Sequence, residues 1–255
     1  MDVKKKFDLT GKVAIVTGAS KGIGEYMAIA FAQAGASVVV SSRKQEAVDE
    51  VAKSIVDEGG IATGIAANTG SLEELEQLVN KTVELHGGID IIVNNAATNP
   101  VFGPVINTNE DAFDKIMNVN VKGPFEFAKM AFPHMKKRGG GSIINISSIG
   151  GLSPEPFLGI YSVSKAALIS LTKVLAKEWG PMGVRANVIC PGLIKTKFSQ
   201  ALWSNEPIVD KMTKELPLPR IGQPDEIAGL ALFLASEASS YCTGGVYTAD
   251  GGYTI

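Results

Sequence analysis

Short apolar runs recur along the chain and alternate with longer segments of helical period. The runs fall at 13–16, 37–40, 61–65, 89–93, 142–146, 184–189 and 246–247. They are rich in Val and Ile and do not alternate strictly with polar residues, the pattern of strands buried on both faces. Between them, the segments 22–34, 44–58, 71–86, 109–136, 160–179 and 224–236 predict helices. At the third of these, Ser71 stands three residues before Glu74, a capping-box start. Alternating strand and helix predicts an α/β fold. The expected architecture is a single-domain, Rossmann-like, doubly wound parallel sheet of about seven strands with helices on both faces. Such sheets bind ligands outside the carboxyl ends of their strands. No linker, repeat or charge block divides the chain, so residues 1–255 read as one domain. One stretch breaks the rhythm. Residues 191–219 hold Pro191, Pro207, Pro217 and Pro219 together with Phe198 and Trp203. A long irregular insertion in a compact domain is usually functional or mobile.

Composition narrows the function classes. The 255 residues are 45% hydrophobic and 20% charged, with a net charge of −2. Surface scaling lets such a chain bury about 72% of its unfolded surface, which excludes a disordered protein. A charge this close to zero carries no electrostatic footprint for nucleic acid. Cys190 and Cys242 make neither a disulfide scaffold nor a metal motif, and two histidines exclude a three-His zinc site. His86 and His134 read as surface residues at helix ends, and Cys190 as core packing. No apolar run follows the basic start Lys4–Lys6, and no stretch approaches the roughly 20 apolar residues of a membrane span. The sequence ends Gly-Tyr-Thr-Ile255, not Ser-Lys-Leu, and cytoplasm is the expected compartment.

The first strand runs into Thr17-Gly-Ala-Ser-Lys-Gly-Ile-Gly24. Small residues at a strand-to-helix turn let the backbone approach a pyrophosphate, whose charge meets the free N–H groups of the helix. The spacing is G-x-x-x-G-x-G rather than G-x-G-x-x-G, but the strand–turn–helix context points to a nucleotide. At the end of the second strand, an NAD-type site wants an acid about 20 residues beyond the motif. Here Ser42, Arg43 and Lys44 stand instead, and the first acid is Glu46. Arg grips phosphate with parallel charge-assisted hydrogen bonds, and Lys21 adds a second cation, so NADP(H) is the expected cofactor. The competing reading is that Arg43 and Lys44 simply open a solvated helix.

Tyr161 and Lys165 are four residues apart in a helical segment and so share a face. A tyrosine with its ordinary pKa near 10 is a poor base, and a neighbouring ammonium favours the phenolate. A shift to about 7 would require roughly 4 kcal/mol, part of it from Lys165 in a dry site and part from a charged nicotinamide. Ser148 lies at a predicted carboxyl strand end, where its hydroxyl could hold a carbonyl oxygen. Asn94-Asn-Ala-Ala97 follows the fourth strand. Asn120 sits mid-helix, an unfavourable place for Asn unless it bonds something specific.

Taken in order and spacing, these residues resemble the short-chain dehydrogenase/reductase family in its compact single-domain branch, from Lys12 to Gly252. Val39-Val-Ser-Ser-Arg-Lys44 and Asn95-Ala-Ala-Thr-Asn-Pro100 look like NADPH-dependent carbonyl reductases of the peroxisomal retinal-reductase type. The resemblance implies a catalytic set of Ser148, Tyr161 and Lys165, with Asn120 holding a water in a proton relay. Tyr161 would be the general acid, Ser148 would steady the oxygen, and Lys165 would also bind the nicotinamide ribose. The implied cofactor residues are Gly18, Ser20, Lys21, Gly22, Ile23 and Gly24 in the first turn, with Ser42, Arg43, Lys44, Asn68, Asn94 and Ala96 at later strand ends. Tyr161 and Lys165 join them, as do Pro191, Gly192, Ile194 and Thr196 in the Pro191-Gly-Leu-Ile-Lys-Thr196 segment. The 191–219 stretch would be a substrate lid. A homotetramer is implied, packed through the 109–136 and 160–179 helices and the last strand. Two departures stand out. Ala97 replaces the family's usual Gly and would be strained at positive φ, and Asn68 stands where an Asp is usual.

Three functions remain open from the residues: an NADPH-dependent carbonyl or keto-ester reductase, a 3-oxoacyl-carrier-protein reductase, and a catalytically silent nucleotide sensor or scaffold. The second needs basic residues at the cleft rim, a role that Lys136, Lys137 and Arg138 could fill. Phe102, Phe157, Leu158, Leu193, Phe198, Leu202 and Trp203 could form an apolar substrate wall.

Overall fold

β1 (Val13–Thr17) is buried along its whole length because both of its faces meet helices. Ala14 and Val16 point into one apolar layer and Ile15 into the other, so a strand with no polar face still has a period of two. In the computed structural model, which describes residues 2–204, 209–210, 213–214 and 216–255, this strand lies inside a seven-stranded sheet. The other strands are β2 (Ser37–Ser42), β3 (Ile61–Ala66), β4 (Ile91–Asn94), β5 (Gly141–Ile146), β6 (Val184–Pro191) and β7 (Val246–Ala249). Their order is β3-β2-β1-β4-β5-β6-β7, and every pairing is parallel. The order reverses between β1 and β4, and a crevice opens at their carboxyl ends.

Helices cover both faces. α1 (Gly22–Gln33) and α2 (Gln45–Asp57) share a core layer, and α3 (Leu72–His86) lies on the opposite side. Ser71 caps α3 by accepting from the Glu74 N–H, but the Glu74 carboxylate accepts from Asn68 N–H instead of closing the box. The helix predicted over 109–136 is three pieces. α4 (Glu110–Met117) passes through a π-helical turn (Asn118–Lys122) into α5 (Gly123–Lys137). The turn lets Asn118 Nδ2 donate to the Gly70 carbonyl at 2.9 Å, so the widened backbone answers to bonds from outside the helix. α6 (Gly159–Trp179), the short α7 (Gln200–Trp203) and α8 (Pro224–Ala235) also belong to the described residues.

Two expectations need correction here. The span Gly159–Met182, α6 with the turn after it, is long and apolar enough to suit a membrane crossing. It nevertheless packs on β6 with half of its most apolar 18-residue window buried in the fold, which is the situation of a core helix. β4 begins at Ile91 rather than residue 89, because Asp90 turns its carboxylate onto neighbouring groups. Val13 N–H donates to Asp90 Oδ2 at 2.8 Å and Arg138 Nε to Oδ1 at 2.9 Å. Of the 191–219 stretch, residues 205–208, 211–212 and 215 lie outside the described residues, Pro207 among them.

Candidate active site

A cleft of about 610 Å³ opens at the carboxyl ends of the strands. From the turn between β1 and α1, Gly18, Ser20, Lys21, Gly22 and Ile23 line it. Ser42 and Arg43 reach it from the end of β2, and Asn68, Ala96 and Ser148 from the ends of β3, β4 and β5. Tyr161 and Lys165 come from the first turns of α6, and Pro191, Gly192, Ile194 and Thr196 from the segment leaving β6. No carboxylate lines this cleft among the described residues.

The glycine turn is shaped for close approach. Gly18 has φ +65°, and a Cβ there would lie 2.8 Å from Asn95 Nδ2 and 2.9 Å from Ala96 Cα. Gly22 is also left-handed, at φ +62°. Asn95 Nδ2 donates to the carbonyls of Thr17 (2.9 Å) and Gly18 (3.1 Å), which pins the turn against β4. Lys21, the residue before α1, makes no side-chain cap, and apart from the Gly22 N–H, which bonds the Glu25 carboxylate, the N–H groups of the first turn remain for a ligand in the cleft. This uncapped terminus, beside Lys21 and Arg43, fits a nicotinamide dinucleotide carrying phosphate charge.

Four predicted site residues do not line the cleft. A Cβ on Gly24 would meet the Gly18 carbonyl at 2.5 Å, so this glycine allows strand and helix to touch instead of facing a ligand. Lys44 is the exposed residue preceding α2, outside the wall that Ser42 and Arg43 form. Asn94 is buried in the sheet, where its Nδ2 donates to Asn145 Oδ1 at 2.8 Å. The Asn120 side chain is spent on structure. Its Oδ1 accepts from Thr98 N–H at 2.8 Å, and its Nδ2 donates to the Thr98 carbonyl and to Ser164 Oγ, both at 3.0 Å. Ser164 Oγ donates in turn to the Tyr161 carbonyl at 2.6 Å, so Asn120 braces the helix that carries the tyrosine.

The electrostatics reverse one expectation. Tyr161 and Lys165 are 8% and 3% exposed. Burial penalises the phenolate and pushes the Tyr161 pKa up to about 12, although the Ser148 side chain works the other way. Burial likewise brings the Lys165 pKa down to about 8. The phenol is thus not acidified within the protein; desolvation outweighs the Ser148 hydrogen bond. Lys165 Nζ donates to the Ile146 carbonyl at 2.8 Å and lies 5.6 Å from the Tyr161 ring centroid. The neighbouring Ser147 Oγ donates to the Lys165 carbonyl at 2.8 Å, which ties α6 to the end of β5. Buried beside them, Cys190 has its thiol pushed up to about 11 and is inert core packing.

Ala97 escapes the strain expected of it, because Phe157 is the one non-glycine with positive φ among the described residues. Asn68 Oδ1 accepts from the Gly70 N–H at 3.1 Å and shapes the rim. Of the expected apolar wall, Phe198 lines the cleft, with its ring centroid 6.2 Å from that of Tyr161. Trp203 Nε1 donates to the Thr196 carbonyl at 2.6 Å and folds α7 back onto that segment, while Leu193 faces a second cavity of about 190 Å³. His86 is half-buried at the end of α3, its pKa lowered by burial, with Nε2 at 3.3 Å from Thr63 Oγ1.

Sequence reasoning missed Asn95 and Asn145. Asn145 takes the Asn94 hydrogen bond and passes one on from its Nδ2 to Thr172 Oγ1 at 2.8 Å. A polar residue inside the apolar run of β5 was the signal that could have found it.

A family model described as enoyl-(acyl carrier protein) reductase matches residues 18–254. The chain is 47% identical to dehydrogenase/reductase SDR family member 4 of Sus scrofa, over 98% of this chain and 90% of that protein. Its fold is similar to that of a gluconate 5-dehydrogenase from Burkholderia cenocepacia in complex with NADP and tartrate. The TM-score is 0.95 at 34% identity, covering 99% of both chains. A 7α-hydroxysteroid dehydrogenase complexed with NADH and 7-oxo glycochenodeoxycholic acid is equally similar, with a TM-score of 0.95 at 36% identity over 99% of this chain and 98% of that one.

Proposed function

Because this chain belongs to the short-chain dehydrogenase/reductase family and is an oxidoreductase of that family, we propose that it reduces a small carbonyl compound to an alcohol with NADPH and catalyses the reverse oxidation. The observation that carries the reading is the convergence of Ser148, Tyr161 and Lys165 on a cleft that also takes in the uncapped start of α1. The glycine turn would hold the pyrophosphate, and Ser42, Arg43 and Lys21 the adenosine 2′-phosphate. Ala96, Ile194 and Thr196 would line the nicotinamide end. When bound, the nicotinamide supplies or accepts the hydride.

Tyr161 holds its proton throughout the neutral range, the state a general acid needs for reduction. Its hydroxyl hydrogen passes to the carbonyl oxygen while the Ser148 hydroxyl orients that oxygen. The phenolate left behind is buried, and the Lys165 ammonium, charged below about pH 8, stabilises it. Asn120 is a positioning residue that acts through Ser164.

The NADPH preference is supported by Lys21 and Arg43 beside Ser42, in a cleft wall without a carboxylate among the described residues. A homotetramer is supported by exposed apolar side chains on the expected faces, Phe113, Phe125, Val163 and Val174. A carrier-protein substrate gains nothing from Lys136, Lys137 and Arg138. Arg138 bonds Asp90 and the Gly11 carbonyl at the amino ends of the strands, away from the cleft. The test is nicotinamide absorbance with NADPH and NADH against ketones, keto esters and aldehydes. Turnover with NADPH is expected; absence of any carbonyl turnover overturns the reading, and preference for NADH overturns its cofactor half.

A further inference from the structure

Behind the segment that leaves β6 lies the second cavity, of about 190 Å³. Its walls include Ile149, Leu193, Ile194, Leu218, Ile227 and Ala249. Ile194 is 5% exposed and borders both this cavity and the cleft, so its side chain is part of the wall between them. Ile149 directly follows Ser148. The segment is fastened from the cavity side. Gly222 N–H donates to the Leu193 carbonyl at 3.0 Å and Lys195 N–H to the Gly222 carbonyl at 2.9 Å, a parallel bridge between Ile194 and Gly222. A Cβ on Gly222 would lie 2.6 Å from Ile194 Cδ1, so only glycine leaves the isoleucine its place.

The cavity presents aliphatic surface, and the polar side chains among its described wall residues already have partners. Arg220 donates from both terminal nitrogens to Glu226, at 2.7 and 2.6 Å. Asp250 accepts from the Gly252 N–H at 2.9 Å and from the N–H and Oγ1 of Thr254 at 3.0 and 2.8 Å. The hydroxyls of Thr213 and Tyr253 donate to the Val209 carbonyl and to Glu155 Oε1, both at 2.9 Å. Side chains that would hold a water or a charged ligand there are thus committed within the protein. An apolar cavity of roughly 150 Å³ is enough to take up benzene.

We propose that this cavity is a binding site for a compact, uncharged apolar molecule about the size of a benzene ring, and that its occupant favours NADPH binding by backing Ile194. An unfilled space gives the far side of Ile194 no contact partners. An occupant supplies them and holds the side chain toward the cleft. The coupling rests on the dinucleotide reading of the cleft; the binding rests on the cavity alone.

The test is benzene titrated into the whole chain labelled at the isoleucine δ1 methyl groups and followed by NMR. The methyls of Ile149, Ile194 and Ile227 are expected to shift together and saturably, while Ile15, in the opposite core layer to Ile194 and Ile227, stays in place. Benzoate, which carries a charge on the same ring, should move none of them. Ala249→Met lengthens a side chain in the wall, and Leu218→Trp adds bulk at a position more than half exposed. Each should abolish the benzene shifts, and the second does so without disturbing the core. Fluorescence titration should give an NADPH Kd about fivefold lower with the cavity saturated, at the low end of couplings between sites. By linkage, NADPH should tighten benzene binding by the same factor. Shifts that fail to saturate, reach Ile15 equally, follow benzoate as well as benzene, or persist in both variants overturn the site. An NADPH Kd unchanged by benzene overturns the coupling. A parent protein that shows the saturable shifts but takes up no NADPH faults the cofactor reading and not the cavity.

Discussion

The Lys165 ammonium lies 5.6 Å from the centroid of the Tyr161 ring, yet burial drives the two groups apart in pKa, the phenol up to about 12 and the amine down to about 8. The pair is therefore set for proton donation. Tyr161→Phe is expected to lower kcat by about a hundred- to ten-thousandfold, the range for a lost general acid. NADPH binding, followed by fluorescence titration, should be retained. Turnover within a few-fold of the parent would remove Tyr161 from the role.

Lys165 also leaves a pH signature. In a lysine-labelled NMR titration of the free protein, one resonance should titrate near pH 8, ahead of the ordinary 10.5, and vanish in Lys165→Met. Between those values the unfolded chain keeps a proton on this residue that the folded chain has released. Its contribution to stability thus rises with pH across the window, while below about 8 the folded state bears the full cost of burying the charge.

Arg43 and Lys21 are the cations in the wall beside Ser42. Arg43→Ala should raise KM for NADPH by about ten- to a hundredfold, the loss expected for charge-assisted hydrogen bonds to a phosphate. KM for NADH should hardly move. Equal effects on both cofactors would place Arg43 elsewhere in recognition.

Asn94, Asn145 and Thr172 form a buried hydrogen-bonded chain between β4, β5 and α6. Asn145→Ala leaves Asn94 Nδ2 with only the long 3.5 Å bond to the Pro124 carbonyl and removes the donor to Thr172 Oγ1, which still donates to the Leu168 carbonyl. The expected loss is about 2–4 kcal/mol of stability in urea unfolding, combining the lost hydrogen bonds with the cavity. A loss within experimental error would mean that water replaces the side chain at no cost.

At Phe157 the usual ranking of small residues should invert. Phe157→Gly and Phe157→Ala both lose the ring, but only alanine keeps the left-handed strain. The glycine variant is expected to be more stable than the alanine variant by about 1 kcal/mol in urea unfolding. The opposite order would show that the loop relaxes freely.

Much of the fold was legible because parallel strands buried on both faces must read as short Val- and Ile-rich runs, as β1, β2 and β6 do. The chemistry of Gly18, Gly22, Tyr161 and Lys165 was legible for a similar reason: a tight turn and a shared helix face are local properties of the chain. Asn120 shows where this stops. Its place in a π-helical turn depends on Thr98 and Ser164, 22 and 44 residues away, and no local pattern encodes those partners. Asn94 points into the sheet for want of any signal but its register with Asn145. The protonation of Tyr161 went the same way. Sequence supplied the neighbouring amine, but the burial that raises the phenol's pKa arises only when β5, α6 and the segment after β6 close around both groups. The order of residues thus determined which groups could meet, while the packing of distant segments decided which of them face the cleft and in what charge state, because desolvation is a property of the whole enclosure and not of any stretch of chain.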